Sequence, residues 1–199
     1  IDLETKDPNL NERMGSGSVV GVGDVVGISL DTHDWCAYYP IAHEGGGNMD
    51  RKMVLDWFQD QMRSPSTKIF HNAMYDVCWI RAVTGMMLKG PIYDTMIAAS
   101  IIDENRPRYS LDSLAKDYLG ESKYKGDLTD RALEEHGVSD PMSNMHLLPH
   151  DLVKDYAEQD VNLTLQLWKK FEKIIKTPVN TKSKNKKTLE NIFDLETRL

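Results

Sequence analysis

The chain has 199 residues, 40% hydrophobic and 28% charged, a globular balance with enough length for one sizeable core and a short appendage. No stretch is long and apolar enough to span a bilayer, and Cys36 and Cys78 lie in unrelated segments without CxxC spacing, which fits a reducing cytosol and argues against structural zinc. The formal net charge of −7 excludes a protein that holds nucleic acid by bulk positive charge, but not an enzyme whose acidic site is neutralised by metal.

Residues 1–5 read as a strand whose start is missing, and Asp2 and Glu4 stand where a secretion signal would carry basic residues. Residues 7–24 read as a loop holding Asn9, Asn11 and the Gly15-Ser16-Gly17-Ser18 run. Strands follow at 25–30 and 35–41, the first two of the three joining as an antiparallel pair or meander. After the break at Gly45-Gly46-Gly47, Asn48 or Asp50 caps an amphipathic helix to Met62, with Met53, Val54, Trp57, Phe58 and Met62 inward. Residues 68–71 form a short strand, and Asn72 is the expected N-cap of a helix carrying Asp76, Trp79, Ile80 and Val83.

A brief strand at 91–93 leads into a helix that opens at Asp94 or Thr95 and runs to Ile102. Ser110 caps a helix with Leu111, Leu114 and Leu119, ended by Gly120. The polar stretch 123–144 holds a helix at 128–136, and a long helix fills 149–175. At 177–187 apolar residues vanish while Lys182, Lys184, Lys186 and Lys187 accumulate, a linker or mobile loop before a new helix near Thr188. Both ends look cut, so a fragment of a longer protein is expected: a domain at 1–176, a linker at 177–187 and a leading helix at 188–199. Three opening strands followed by alternating strands and helices predict an α/β fold with a mixed sheet covered on its faces.

The long helix carries one stripe, Val153, Tyr156, Asp160, Leu163, Leu167, Phe171 and Ile174, in steps of three or four residues. Asp160 is its one charged member. A lone carboxylate there is unfavourable unless compensated, and a cation is the simplest compensation. Asp2 and Glu4, two apart in a strand, share a face and repel, which calls for a cation between them; a solvated strand end accounts for the same pair. Asn72 and Asp76 follow a strand, where open α/β sheets place ligands, though helix capping and the helix dipole account for them equally. Tyr156 and Asp160, four apart, meet on one helical face; the alternative is a core tyrosine with an aspartate bonded to a backbone amide. Jointly these groups point to hard divalent cations and phosphoryl chemistry. Such a site needs several carboxylates and no His or Cys, which disfavours zinc hydrolysis.

Three segments carry a resemblance: Ile1-Asp2-Leu3-Glu4-Thr5, His71-Asn72-Ala73-Met74-Tyr75-Asp76, and Tyr156-Ala157-Glu158-Gln159-Asp160. In order and spacing they resemble the exonuclease motifs of the DEDD superfamily, tyrosine-type branch. Tyr93-Asp94-Thr95-Met96, Tyr109-Ser110-Leu111-Asp112-Ser113-Leu114-Ala115 and the ending Phe193-Asp194-Leu195-Glu196-Thr197-Arg198-Leu199 are similar to the proofreading domain of family A DNA polymerases. The Gly15–Gly23 insertion resembles some phage-type members.

The resemblance implies a ribonuclease H-like mixed sheet flanked by helices, and 3′–5′ hydrolysis of single-stranded DNA ends to nucleoside monophosphates. It implies two divalent ions, Mg²⁺ with Mn²⁺ as a substitute, held by Asp2, Glu4, Asp76 and Asp160, with Asp2 bridging and Tyr156 orienting water. Thr5 and Asn72 would touch the terminal nucleotide, and Pro8 or Leu10 would be its apolar wedge. Arg106 and Arg108 are candidate phosphate contacts. It further implies a monomer in the cytoplasm of a bacterial or phage-infected cell, attached to a polymerase domain. The alternatives are an RNase D-like RNA exonuclease and a catalytically silent DNA-binding domain.

Overall fold

The computed structural model describes residues 1–10, 16–32, 34–122, 126–178 and 188–197. Asn11, Gly15, Lys182, Lys184, Lys186, Lys187, Arg198 and Leu199 lie outside the described residues. Strands β1 (Asp2–Lys6), β2 (Asp24–Asp31) and β3 (Cys36–Pro40) form an antiparallel sheet in that order. Its register places Asp2 opposite Ser29 and Glu4 opposite Gly27, and a slip between Glu4 and Thr5 passes over Val26, a bulge at the end of the acidic strand. β4 (Lys68–Phe70) and β5 (Ile92–Asp94) pair in parallel. Strand directions are mixed, as expected, but they are shared between two small sheets. One link between them is the Ile1 nitrogen, which donates to the Ile69 carbonyl of β4 (2.8 Å).

Helices surround the sheets. The stretch expected as a loop after β1 contains a single turn, α1 (Gly17–Val20). α2 (Arg51–Arg63) is capped by Asp50, whose carboxylate accepts from the Met53 N–H (2.7 Å); Asn48 instead brackets the backbone of His43. Val54, Phe58 and Met62, four residues apart, set its inward face, and Trp57 leans on Tyr39 at 4.7 Å. Met53, expected inward, lies at the edge of that face in the first turn and is 58% exposed. Then come α3 (Ala73–Thr84), α4 (Thr95–Ile102) and α5 (Leu111–Leu114). α5 runs into an unexpected π-helical turn at Ala115–Leu119 before Gly120 closes it at φ 74°. α6 (Gly126–His136), a 3₁₀ turn (Met145–Leu147), α7 (His150–Lys176) and α8 (Glu190–Glu196) complete the order.

α7 organises the molecule. It packs against β1, β2, β3 and β4 along one side and against α4, α5, α6 and α8 on others. Its buried residues therefore exceed the expected stripe, adding Leu152, Ala157, Val161, Thr164, Trp168 and Ile175, while Tyr156 and Ile174 are half-buried. Leu163, Leu167 and Phe171 are fully enclosed, each contributing about 1.5–3 kcal/mol. Phe193 of α8 packs against Tyr93 and Trp168, each at 5.3 Å, so α8 shares this core. Among the described residues no helix is long and apolar enough to cross a membrane.

The start of α3 departs from expectation. Asn72 has left-handed backbone (φ 67°, ψ 54°), and its side chain caps nothing. Asparagine tolerates this conformation better than most residues. The capping is done by Asp94 at the end of β5, which accepts from the N–H groups of Asn72 (3.0 Å), Ala73 (2.7 Å) and Met96 (2.8 Å). One buried carboxylate thus starts both α3 and α4. Asp94→Ala would leave three amide donors without that acceptor and should lower stability by roughly 2–4 kcal/mol, measured by denaturant unfolding. A loss below the level of a surface substitution would contradict this account of the α3 start.

Candidate active site

Alternation along β1 turns Asp2 and Glu4 to one side, and the four-residue step on α7 turns Tyr156 and Asp160 towards them. They meet, with Asp76 from α3, in one cleft of about 330 Å³. β1 and the turn after it also contribute Leu3, Thr5, Asp7 and Leu10; the β4–α3 junction adds His71, Asn72 and Tyr75; Met142, Ser143 and Met145 form a third wall. All five expected catalytic residues therefore line one cavity, together with Thr5, Asn72 and Leu10. Glu4, Asp76 and Asp160 each expose less than a tenth of their surface (9%, 2% and 6%).

Asp76 is held by the backbone of the facing strand: the Leu3 N–H donates to its Oδ1 (3.1 Å). Burial, and next the charge of Asp2, push the Asp76 carboxyl well above the ordinary carboxylate value, with the Ile1 amino group and the Leu3 amide pulling partly the other way. The Tyr156 phenol is pushed far up, by burial first and then by Asp160, Glu4 and Asp2. It keeps its proton at any pH near neutrality, so it can direct a hydrogen bond but cannot serve as a base.

A neutral prop stands behind the acidic group. Burial, then Glu4 and Asp2, also push up the Tyr38 phenol, whose hydroxyl lies 2.5 Å from His43 Nε2. His43 Nδ1 faces the carbonyls of Leu148 (2.9 Å) and Met145 (3.2 Å). Carbonyls only accept, so Nδ1 carries the proton and Nε2 accepts from Tyr38. This pair fastens β3 to the segment that presents Met142, Ser143 and Met145. Gly27 makes room for it: a Cβ there would lie 2.0 Å from the Tyr38 hydroxyl.

Other expected contacts fall elsewhere. Pro8 is exposed and lies near Gly23, where an added Cβ would come within 3.0 Å of its Cδ; of the two wedge candidates only Leu10 lines the cleft. Arg108 is exposed and does not line the cleft. Arg106 is committed to Asp117 and stacks over Tyr118 at 5.2 Å. Sequence reasoning did not single out Asp7, Tyr75, Met142, Ser143, Met145, Tyr38 or His43. Tyr75 lay inside a recognised motif, beside Asp76, and its polar tip on a helix start was a usable signal. The methionines come from an irregular stretch with no periodic signal.

Among the described residues no three His, Cys, Asp or Glu side chains are grouped closely enough to hold a metal ion by themselves. The donor set is oxygen-rich and open on one side, which suits an ion that retains waters rather than one caged by protein.

A family model for the 3′–5′ exonuclease of family A DNA polymerases matches residues 11–176, which include Asp76, Tyr156 and Asp160 and begin after Glu4. The chain is 30% identical over 204 residues to the DNA-directed DNA polymerase of Pseudomonas phage M6, covering 100% of this chain and 29% of that protein. It is 31% identical over 160 residues to DNA polymerase I of Pseudomonas aeruginosa, covering 75% of this chain and 17% of that protein. The chain thus spans less than a third of the length of these relatives. Among solved structures, Brucella melitensis NrnC aligns with a TM-score of 0.57 at 20% identity, over 87% of this chain and 70% of that one. NrnC with bound Mg²⁺ aligns with a TM-score of 0.56 at 20% identity, over 86% of this chain and 70% of that one. At such identity the likeness is one of fold. With the family model covering most of its length, the chain belongs to the 3′–5′ exonuclease family of the family A DNA polymerases, a family of nucleases.

Proposed function

We propose that the chain hydrolyses the terminal phosphodiester at the 3′ end of single-stranded DNA, releasing nucleoside monophosphates, as the proofreading part of a longer polymerase. The observation that carries this reading is the convergence of Asp2, Glu4, Asp76 and Asp160 with Tyr156 in one cleft. Family membership supports the direction and class of reaction. The DNA polymerase relatives support DNA as substrate and an attached polymerase domain.

The residues fit divalent cations, because crowded buried carboxylates are unfavourable without countercharge, and burial and then Asp2 already raise the proton affinity of Asp76. Asp2, Glu4 and Asp160 would hold one ion, and Asp2 would be shared with a second that Asp76 supports; magnesium suits these hard oxygen donors, with manganese as a substitute. Such ions, when bound, would acidify the attacking water and neutralise phosphate charge. The chain's own residues do the rest. Tyr156, held protonated, orients the water through its hydroxyl, and Glu4 gives that water a second contact. Leu10 and Asn72 bound the space for the terminal nucleotide, and Thr5 offers it a hydroxyl.

Tyr156→Phe keeps the ring in place but removes the orienting hydroxyl. It should lower kcat by roughly 10²-fold or more while the Mg²⁺-dependent rise in melting temperature stays near the parent value. Asp160→Ala should abolish both turnover and most of that thermal rise while the EDTA-treated protein remains folded. Full activity in Asp160→Ala, or loss of the thermal rise in Tyr156→Phe, would contradict these roles.

Asp76 also sets a pH dependence for the metal-free protein. Its folded value lies above the unfolded value of 3.8, so the folded state binds the proton more tightly. The penalty is absent below the unfolded value, grows as pH rises between the two values, and is complete above the folded one. In EDTA, Asp76→Asn should be more stable than the parent at neutral pH, and the difference should shrink towards pH 4. Its amide oxygen can still accept from the Leu3 N–H. Melting curves across that range check this; an Asn variant less stable at neutral pH would contradict it.

A further inference from the structure

The cleft contains a fifth carboxylate, Asp7. Its Oδ1 accepts from the backbone N–H groups of Asn9 (2.9 Å) and Gly17 (2.8 Å). Its Oδ2 accepts from the Tyr75 hydroxyl (3.1 Å). Its main-chain oxygen accepts from the Leu10 N–H (3.2 Å), closing the turn that brings Leu10 to the cleft. Residues 17 and 23 pack tightly against the end of β1 and Asp7. A Cβ on Gly17 would stand 2.2 Å from the Val22 oxygen and 2.8 Å from Asp7 Oδ1, and one on Gly23 would stand 2.1 Å from the Lys6 oxygen.

The direction of these hydrogen bonds has a chemical outcome. A carboxylate accepts only, so the single proton of Tyr75 goes to Asp7. Tyr75 and Thr5 are 2.7 Å apart, oxygen to oxygen, and Thr5 must then be the donor of that pair. With its own proton committed, Thr5 Oγ1 has only lone pairs left to offer in the cleft it lines. A phosphate oxygen or a bare carbon finds no partner there, whereas a hydroxyl does.

We propose that Asp7 is a positioning residue that sets this polarity: it aligns the Tyr75 and Thr5 hydroxyls so that Thr5 accepts a hydrogen bond from the free 3′-hydroxyl of the terminal nucleotide, and it is not a metal ligand. The inference rests on the exonuclease reading of the cleft.

Asp7→Asn reverses the relay without dismantling it. The Asn oxygen can keep the Asn9 and Gly17 amides, its NH₂ donates to Tyr75, Tyr75 donates to Thr5, and Thr5 becomes a donor. The test compares single-stranded DNA ending in a 3′-hydroxyl with the same strand ending in a 3′-methoxy group, whose oxygen can accept from a donor Thr5 but cannot donate to an acceptor Thr5. It reads kcat/KM with Mg²⁺, and affinity by fluorescence anisotropy with Ca²⁺. The parent should prefer the hydroxyl end by roughly five- to tenfold, the scale of one neutral hydrogen bond. Asp7→Asn should lose most of that preference while keeping the parent's Mg²⁺-dependent thermal shift. Tyr75→Phe, which breaks the relay at its middle, should lose the preference too and serves if the Asn variant does not fold.

An unchanged preference in the folded variants overturns the proposal, as does its absence in the parent. Loss of the Mg²⁺-dependent thermal shift in Asp7→Asn overturns it by making Asp7 a metal ligand. A parent that cleaves neither end would instead sink the exonuclease reading, and the anisotropy arm would still decide the polarity claim.

Discussion

Carboxylates crowded into a poorly hydrated place repel one another, and the rest of this fold works against that repulsion. Asp76 and Asp160 are buried and Glu4 nearly so, while Asp2 shares their cleft. They stay together because each rides on an element fixed elsewhere. Asp160 lies on α7, whose other buried residues join cores on either side of it. Asp76 lies on α3, whose start is held by Asp94 and whose Oδ1 is tied to the Leu3 amide of the acidic strand. Hydrophobic burial along these elements outweighs local electrostatic strain, and the strain remains available to be relieved by a cation.

The cleft has two chemically distinct sides. One is the acidic group, where burial first and the neighbouring carboxylate charges next raise the proton affinities of Asp76, Tyr156 and Tyr38 together. The other is a nearly neutral wall of Leu10, Thr5, Tyr75 and Asn72, fixed by Asp7 and by the left-handed turn at Asn72. A terminal nucleotide presents a matching division, with a charged phosphate at one end and sugar and base at the other. The Tyr38–His43 prop holds the methionine-bearing wall in place without adding charge beside the carboxylates.

Much of the acidic side was legible because it obeys local periodicity. A two-residue step puts Asp2 and Glu4 together, a four-residue step puts Tyr156 with Asp160, and an aspartate inside an apolar stripe stands out. Caps such as Asp50 and Ser110 follow the same local logic. The neutral wall was far less legible, because its contacts join residues distant in sequence. Asp7 meets Tyr75 across 68 positions, and Asp94 caps the helix that begins 21 positions before it. Asn72 looked like a cap because capping residues are also those that tolerate left-handed backbone. Arg106 looked like a phosphate contact because charge alone does not reveal an internal partner in Asp117. The division of the strands into two sheets depends on pairing distance, which alternation does not encode.

The central claim is that this cleft removes nucleotides from a 3′ end with the help of divalent ions. The most direct measurement incubates the protein with 5′-labelled single-stranded DNA, and in parallel RNA, in Mg²⁺, Mn²⁺ or EDTA, and resolves the products by length. The account predicts a ladder shortening one nucleotide at a time from the 3′ end of DNA with either ion, and intact strand in EDTA. Internal cleavage, shortening from the 5′ end, undiminished cleavage in EDTA, or degradation of RNA with DNA left intact would contradict it.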